Sequence, residues 1–209
     1  MLPHKGTVNV SFRVVSFWQK RKRVRKMLYI LRHGKTDWNT EHKLQGRTDI
    51  PLNAEGREMA RKAAEKCRNV HFDICYCSPL ARARETAEII LKDRNVPIVY
   101  DDRLREMSFG IYEGKVNYAF DESCPVSILF RHPEQYDFPI EGAESWKELF
   151  DRTGDFLREK ALPLVKYNKD VLIVGHGAMD SSIVCQVRGL PIEQFWSAGI
   201  ENCRLMRLI

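Results

Sequence analysis

The sequence predicts an α/β protein, a three-layer α/β/α sandwich around a mostly parallel central sheet. Three observations predict it. Short apolar runs alternate with longer amphipathic stretches through residues 27–209, the pattern of strand–helix units that set parallel strands between two helical layers. Two of the apolar runs end alike, in Arg32-His33-Gly34 and in Gly175-His176-Gly177. The 209 residues suit one domain with one sizeable core.

The elements follow in chain order. Strands are expected at 27–32, 73–77, 97–100 and 170–175, with a last one at 203–209. Asn53 is an N-cap for a helix from Ala54 to about Cys67. Ser78-Pro79 starts the next helix, with Ser as cap and Pro at the first helical position, and that helix runs to about Leu91. A helix is expected from Glu144 to about Val165, with Pro163 near its end. Another runs from Gly177 to about Val187, closed by Gly189, and Pro191 begins a short one. The stretch 113–142 holds Pro125, Pro133, Pro139 and several aromatics and fits neither period, so it is expected as an insertion or lid over the site.

The formal charge of +6 belongs to one end of the chain. Residues 1–26 hold eight Lys/Arg and no Asp or Glu; without them 26 basic residues face 28 acidic ones, a net of −2. The basic segment is expected to be a disordered extension, or a leader upstream of the true start at Met27, and is a poor secretory signal because its charges follow its apolar stretch. The body, 27–209, then offers no basic face, and no nucleic-acid partner is expected. No apolar run approaches the roughly 20 residues of a membrane helix. Six cysteines (Cys67, Cys75, Cys77, Cys124, Cys185, Cys203) show no CxxC pairing, which suits buried thiols in a reducing, cytoplasmic compartment. The apolar end of the chain is an edge strand open to pairing, as in a homodimer.

Arg32-His33 puts a cation and a nucleophile at the carboxyl end of a strand, where ligands bind in open α/β sheets. His176 repeats the setting. Arg82 lies in the first turn after a strand, where free N–H groups attract phosphate and a guanidinium fork matches its oxygens; Arg84 reads as a solvated neighbour. In Leu104-Arg105-Glu106-Met107-Ser108-Phe109-Gly110-Ile111-Tyr112-Glu113-Gly114, a carboxyl partly shielded from water suits a general acid. Glu106 and Glu113 are near-even candidates on the residues alone. His4, His42, His71 and His132 read as surface residues, and no metal ligand set with HExxH-like spacing is present, so no metal or other cofactor is expected.

Five blocks occur together and in order: LRHGKTDWN, LQGRTDIPLNAEG, SPLARARETA, LREMSFGIYEG and VGHGA. In this the body resembles the histidine phosphatase superfamily, the phosphoglycerate mutase-like proteins. The resemblance implies that His33 is the nucleophile that becomes phosphorylated. It implies that Arg32, Arg82 and His176 line the phosphate pocket and that Glu106 protonates the leaving group, which decides between the two acids. Asn39 matches a further pocket residue, Gln45-Gly46-Arg47-Thr48 the stretch that contacts substrate, and Gly177 stands in the second His-Gly block. His33 must attack as neutral imidazole, its tautomer set by a hydrogen bond at the other ring nitrogen. His176 is expected to be protonated facing a phosphate dianion. Asp180 stands where many relatives carry Arg or an apolar residue and is expected at the pocket rim.

The implied activity is hydrolysis of a small phosphomonoester through a phosphohistidine, without a metal. The alternatives are mutase-type phosphoryl transfer and a non-catalytic phosphate-binding relative. Mutases carry an LxERHYG-like block, whose His and Tyr are missing from Leu104–Gly110; a non-catalytic relative would have lost one of the five positions, and none is lost.

Overall fold

The computed structural model describes residues 27–136 and 140–209, so the basic extension 1–26, with His4 and Trp18, lies outside the described residues. All five expected strands form: β1 (Leu28–Arg32), β2 (Ile74–Cys77), β3 (Ile98–Tyr100), β4 (Val171–Gly175) and β5 (Leu205–Arg207). They make one sheet in the order β3-β2-β4-β1-β5. Four strands run parallel, and β5 lies antiparallel to β1 at the edge. Every residue of β4 is buried, as the unbroken run Val171-Leu172-Ile173-Val174 requires of a strand covered on both faces.

The strands alternate their side chains between two cores. Leu28, Ile30, Tyr76, Val171 and Ile173 face one; Leu31, Cys75, Cys77, Leu172 and Val174 face the other. A fully buried Leu, Ile or Val contributes roughly 1.5–3 kcal/mol, so a one-residue slip of β1 against β4 would expose most of this set.

The helices are α1 (Asp37–Thr40), α2 (Ala54–Lys66), α3 (Ala81–Leu91), α4 (Ser127–Arg131), α5 (Trp146–Phe156), α6 (Leu162–Lys166) and α7 (Gly177–Arg188). Helices α2 and α3 cover the Leu31 face, through Ala63, Ala83, Ala87 and Ile90. Helices α5 and α7 cover the Ile30 face, through Leu149, Phe156, Ile183 and Val184. Asn53 caps α2 as expected, its Oδ1 accepting from Gly56 N at 2.8 Å, and Gly189 closes α7 in the left-handed region at φ 65°.

Two expectations are corrected. Ser78 is not the cap of α3: its hydroxyl meets His176 Nε2 at 2.7 Å, and the helix starts at Ala81, whose N–H donates to Asp49 Oδ1 at 2.8 Å. The helix expected over 144–165 begins at a Ser145–Glu148 capping box, widens into a π turn at Leu157–Ala161, and continues as α6. Pro163 is accommodated because it falls in the first turn after that widening. The segment 113–142 is anchored in the main core: Cys124, Val126, Leu129 and Tyr136 are buried there, with α4 and a 3-10 turn at Pro133–Gln135. Among the described residues no helix is long and apolar enough to cross a membrane.

Candidate active site

Strands β1 and β4 are neighbours, paired so that Arg32 stands opposite Gly175. The next residue of each strand is therefore a histidine at the same sheet edge. The His33 N–H donates to Gly175 O at 2.9 Å, and the two imidazole rings lie 5.1 Å apart between centroids. Both rings are buried.

His33 Nδ1 lies 2.6 Å from Gly34 O. A carbonyl only accepts, so Nδ1 carries the hydrogen and Nε2 keeps its lone pair. Burial, and after it the Arg82 and Arg32 charges, hold His33 well below the ordinary histidine pKa, so the ring is neutral at neutral pH. His176 is lowered in the same way by burial, then Arg82, His33 and Arg32. Burial and the charges of Arg82, His33, Arg32 and Arg152 all disfavour a cationic His176, so only the charge of a bound dianion itself could favour that form. His176 Nε2 meets Ser78 Oγ at 2.7 Å, and its Nδ1 is buried without a protein partner.

Arg82, the second residue of α3, is fully buried, and burial lowers its pKa to about 10. Its terminal nitrogens donate to Gly46 O at 2.7 Å and Thr48 O at 2.9 Å, so it also holds the 46–48 loop. Arg32 donates to Ile200 O at 3.2 Å. The Nε atoms of Arg32 and Arg82 are buried without partners, as is Gln45 Oε1.

Structure separates the two acids that the residues alone left near even. Glu106 sits on the amino end of α7, with Oε1 accepting from Met107 N at 2.9 Å and Met179 N at 3.0 Å, and Oε2 accepting from Ala178 N at 3.2 Å. It lines the cavity that holds His33. Glu113 instead staples the loop at Arg47–Thr48: Oε1 accepts from Arg47 N at 2.9 Å and Phe109 N at 3.1 Å, and Oε2 from Thr48 N at 2.7 Å and from the Thr48 hydroxyl. Gly46 has φ +57°, and a Cβ there would stand 2.1 Å from Glu113 Oε1, so only glycine lets the loop close on that carboxylate.

The cavity has a volume of about 270 Å³. Arg32, His33, Arg82, Glu106 and Gly177 line one part of it, Asn39, Gln45 and Gly46 another. Of the ten residues expected at the site, two are not in the cavity lining: His176, fully buried beside His33, and Arg47. Arg47 Nε donates to Glu106 O at 3.3 Å and its guanidinium lies 3.3 Å from Glu144, away from the cavity lining. Asn39 reaches the cavity, but its Oδ1 accepts from Thr36 N at 3.1 Å in a capping box.

Asp180 is not at the rim. It is fully buried in the first turn of α7, with both carboxylate oxygens unpartnered, because that turn packs inward under Gly175. Sequence reasoning missed several supports. Thr86 Oγ1 accepts from Gly34 N at 3.0 Å, and Asn202 Nδ2 donates to His33 O at 2.6 Å. Phe109, Tyr118, Phe130 and Trp196 form an aromatic wall, with the rings of Phe130 and Trp196 stacked at 5.1 Å. The Ser78-Pro79 signal was visible in the sequence but pointed to a cap; Asn202 and Trp196 carry no local signal. Among the described residues one group of metal-capable side chains exists, His71, Asp73 and Asp170, at the opposite end of the sheet, where Lys169 Nζ and Met27 N donate to its carboxylates.

Residues 28–209 match the histidine phosphatase superfamily, branch 1. The chain is 39% identical over 162 residues to the uncharacterized phosphatase PhoE of Bacillus subtilis (strain 168), covering 77% of this chain and 76% of that one. It resembles the solved structure of YhfR from Bacillus stearothermophilus with a TM-score of 0.76 and 28% identity, over 87% of this chain and 90% of that one. It resembles the alpha-ribazole phosphatase from Shigella flexneri with a TM-score of 0.74 and 26% identity, over 86% and 88% of the two chains.

Proposed function

Because the chain belongs to the histidine phosphatase superfamily, we propose that its two strand-end histidines divide one reaction, His33 as nucleophile and His176 as hydrogen-bond donor to the phosphate. The protein is a phosphatase that hydrolyses phosphomonoesters through a phosphohistidine. The observation that supports His33 is its hydrogen bond from Nδ1 to Gly34 O, which leaves a neutral Nε2 lone pair on a ring that lines the cavity.

In this reading the phosphoryl group lies among Arg32, Arg82 and His176, whose Arg32 Nε, Arg82 Nε and His176 Nδ1 have no protein partner. Fixed donors there neutralise the charge on the equatorial oxygens, the main requirement of phosphoryl transfer. With Ser78 O–H donating to His176 Nε2, His176 Nδ1 carries its hydrogen toward phosphate oxygen. The His33 lone pair attacks phosphorus, the ester P–O bond breaks, and Glu106 gives its proton to the leaving alkoxide. Glu106 then takes a proton from water as the water oxygen attacks phosphorus, and the P–N bond breaks to return His33 and release inorganic phosphate. Asn39, Gln45 and Gly46 take the leaving-group side, and Gly177 lies beside Arg32 and Glu106. Six cysteines without disulfide partners support a reducing, cytoplasmic setting.

The test is inorganic phosphate release from a panel of phosphomonoesters, with EDTA and without added metal. Release by the wild type and none by a folded His33→Ala variant is the expected result. Turnover near wild type in His33→Ala would remove the nucleophile assignment, and activity lost on adding EDTA would overturn the metal-free reading.

A further inference from the structure

A second cavity, of about 130 Å³, adjoins the first, and the two share Asn39, Lys43 and Tyr118 in their walls. Its remaining lining is Trp38, His42, Asn117, Ala119 and Phe120. None of these has a part in the phosphoryl transfer described above.

The second cavity is held by a backbone clasp between two loops. Leu44 N donates to Lys115 O at 3.0 Å, Gly114 N to Leu44 O at 2.7 Å, and Asn117 N to His42 O at 3.2 Å. His42 and Asn117, on its two sides, both sit in the left-handed region, at φ 54° and 51°. Phe120, at 89% the most exposed large apolar side chain among the described residues, stands in its wall. One exposed aromatic means little alone. Its place beside the phosphate-site cavity gives it meaning, because a ligand reaching across Tyr118 would cover it.

The chemistry of the lining selects the occupant. Lys43 pairs with Glu41 at 2.5 Å and lies 5.8 Å over the Trp38 ring, so the one Lys in the wall already has an anionic and an aromatic partner. Beside the polar Asn39, His42 and Asn117, three rings line it: Trp38, Tyr118 and Phe120. A cavity of about 150 Å³ accepts benzene, so this one has the size of a single ring.

We propose that this second cavity is a distal leaving-group subsite that takes a neutral aromatic or heteroaromatic ring at the far end of the substrate alcohol. The inference rests on reading the first cavity as the phosphate site. The substrate class is then a phosphomonoester in two parts: a linking unit along Phe109, Phe130 and Trp196, and a flat ring between Trp38 and Phe120.

The experiment compares matched esters that differ only in the far ring: phenyl against biphenyl-4-yl phosphate, and ribose 5-phosphate against adenosine 5′-monophosphate. An aromatic contact predicts that kcat/KM is about two- to ten-fold higher for the longer member, carried by KM. In Phe120→Ala that ratio falls toward one, and in Phe120→Leu it lies between. A ratio of one in the wild type, or a ratio unchanged in Phe120→Ala, overturns the subsite while phosphatase activity on the short esters stands. No release from any of the four esters overturns the phosphate site, and the subsite with it.

Discussion

Replacing Asp180 by Asn should remove a pH dependence of stability that the buried carboxyl imposes on the wild type. Asp180 is 0% exposed, and neither of its oxygens has a hydrogen-bond partner. Burial first, and the Glu106 charge second, push its carboxyl well above the ordinary value of 3.8, against a smaller opposite pull from Arg32. In the folded protein the group therefore keeps its proton at pH values where the unfolded chain has lost it. The folded state binds more protons across that window, so stability falls as pH rises. The contribution is fully present below the unfolded value and is lost as pH rises toward the folded one. Inside the window the slope from this one group is about 1.4 kcal/mol per pH unit. His33 and His176, both lowered by burial, slope in the opposite sense below their ordinary value, but they are common to both proteins and cancel in the difference. Urea unfolding of wild type and Asp180→Asn at pH 5.0, 5.5 and 6.0 measures it. The Asn variant should gain on the wild type as pH rises through that window, by up to about 1.4 kcal/mol per pH unit. Parallel curves for the two proteins would refute the reasoning, since they would mean that Asp180 is ionised in both states.

Glu106→Gln should slow esters of poor leaving groups far more than those of good ones, because the lost proton matters only where the alkoxide is basic; equal losses on aryl and alkyl phosphates would move the acid elsewhere. Glu113→Ala strips partners from Arg47 N, Thr48 N, the Thr48 hydroxyl and Phe109 N. It should cost about 2–4 kcal/mol in denaturant unfolding and raise KM for both ester types alike, unlike Glu106→Gln. Ser78→Ala frees His176 Nε2 and should lower kcat up to about ten-fold whatever the leaving group, the worth of one buried hydrogen bond; an unchanged kcat would remove Ser78 from the site.

The strand-end motifs were legible because their signal is local. An apolar run followed by Arg-His-Gly reads as a strand with its polar residues at the carboxyl edge, and β1 and β4 fall within a residue or two of the expected bounds. Asn53 and Gly189 were legible for the same reason, since a cap depends on one side chain or one left-handed residue. Ser78 was misread because the same local rule competes with a distant partner: its hydroxyl is taken by a histidine 98 positions away. The segment 113–142 has no regular period because its order comes from packing Cys124, Val126, Leu129 and Tyr136 into the main core.

By itself, the sequence determined the alternation of strands and helices, the two histidines and two arginines, and the order of the five blocks, because each depends on residues close together in the chain. Only the tertiary structure decided that Glu106 shares a cavity lining with His33 while Glu113 holds the 46–48 loop, that Arg82 holds the same loop, and that Asp180 is buried under Gly175. Those depend on the register of β1 against β4 and on the helix end that meets Glu106. Contacts between residues 65 to 143 positions apart arise from the sheet's strand order, and no local pattern encodes them.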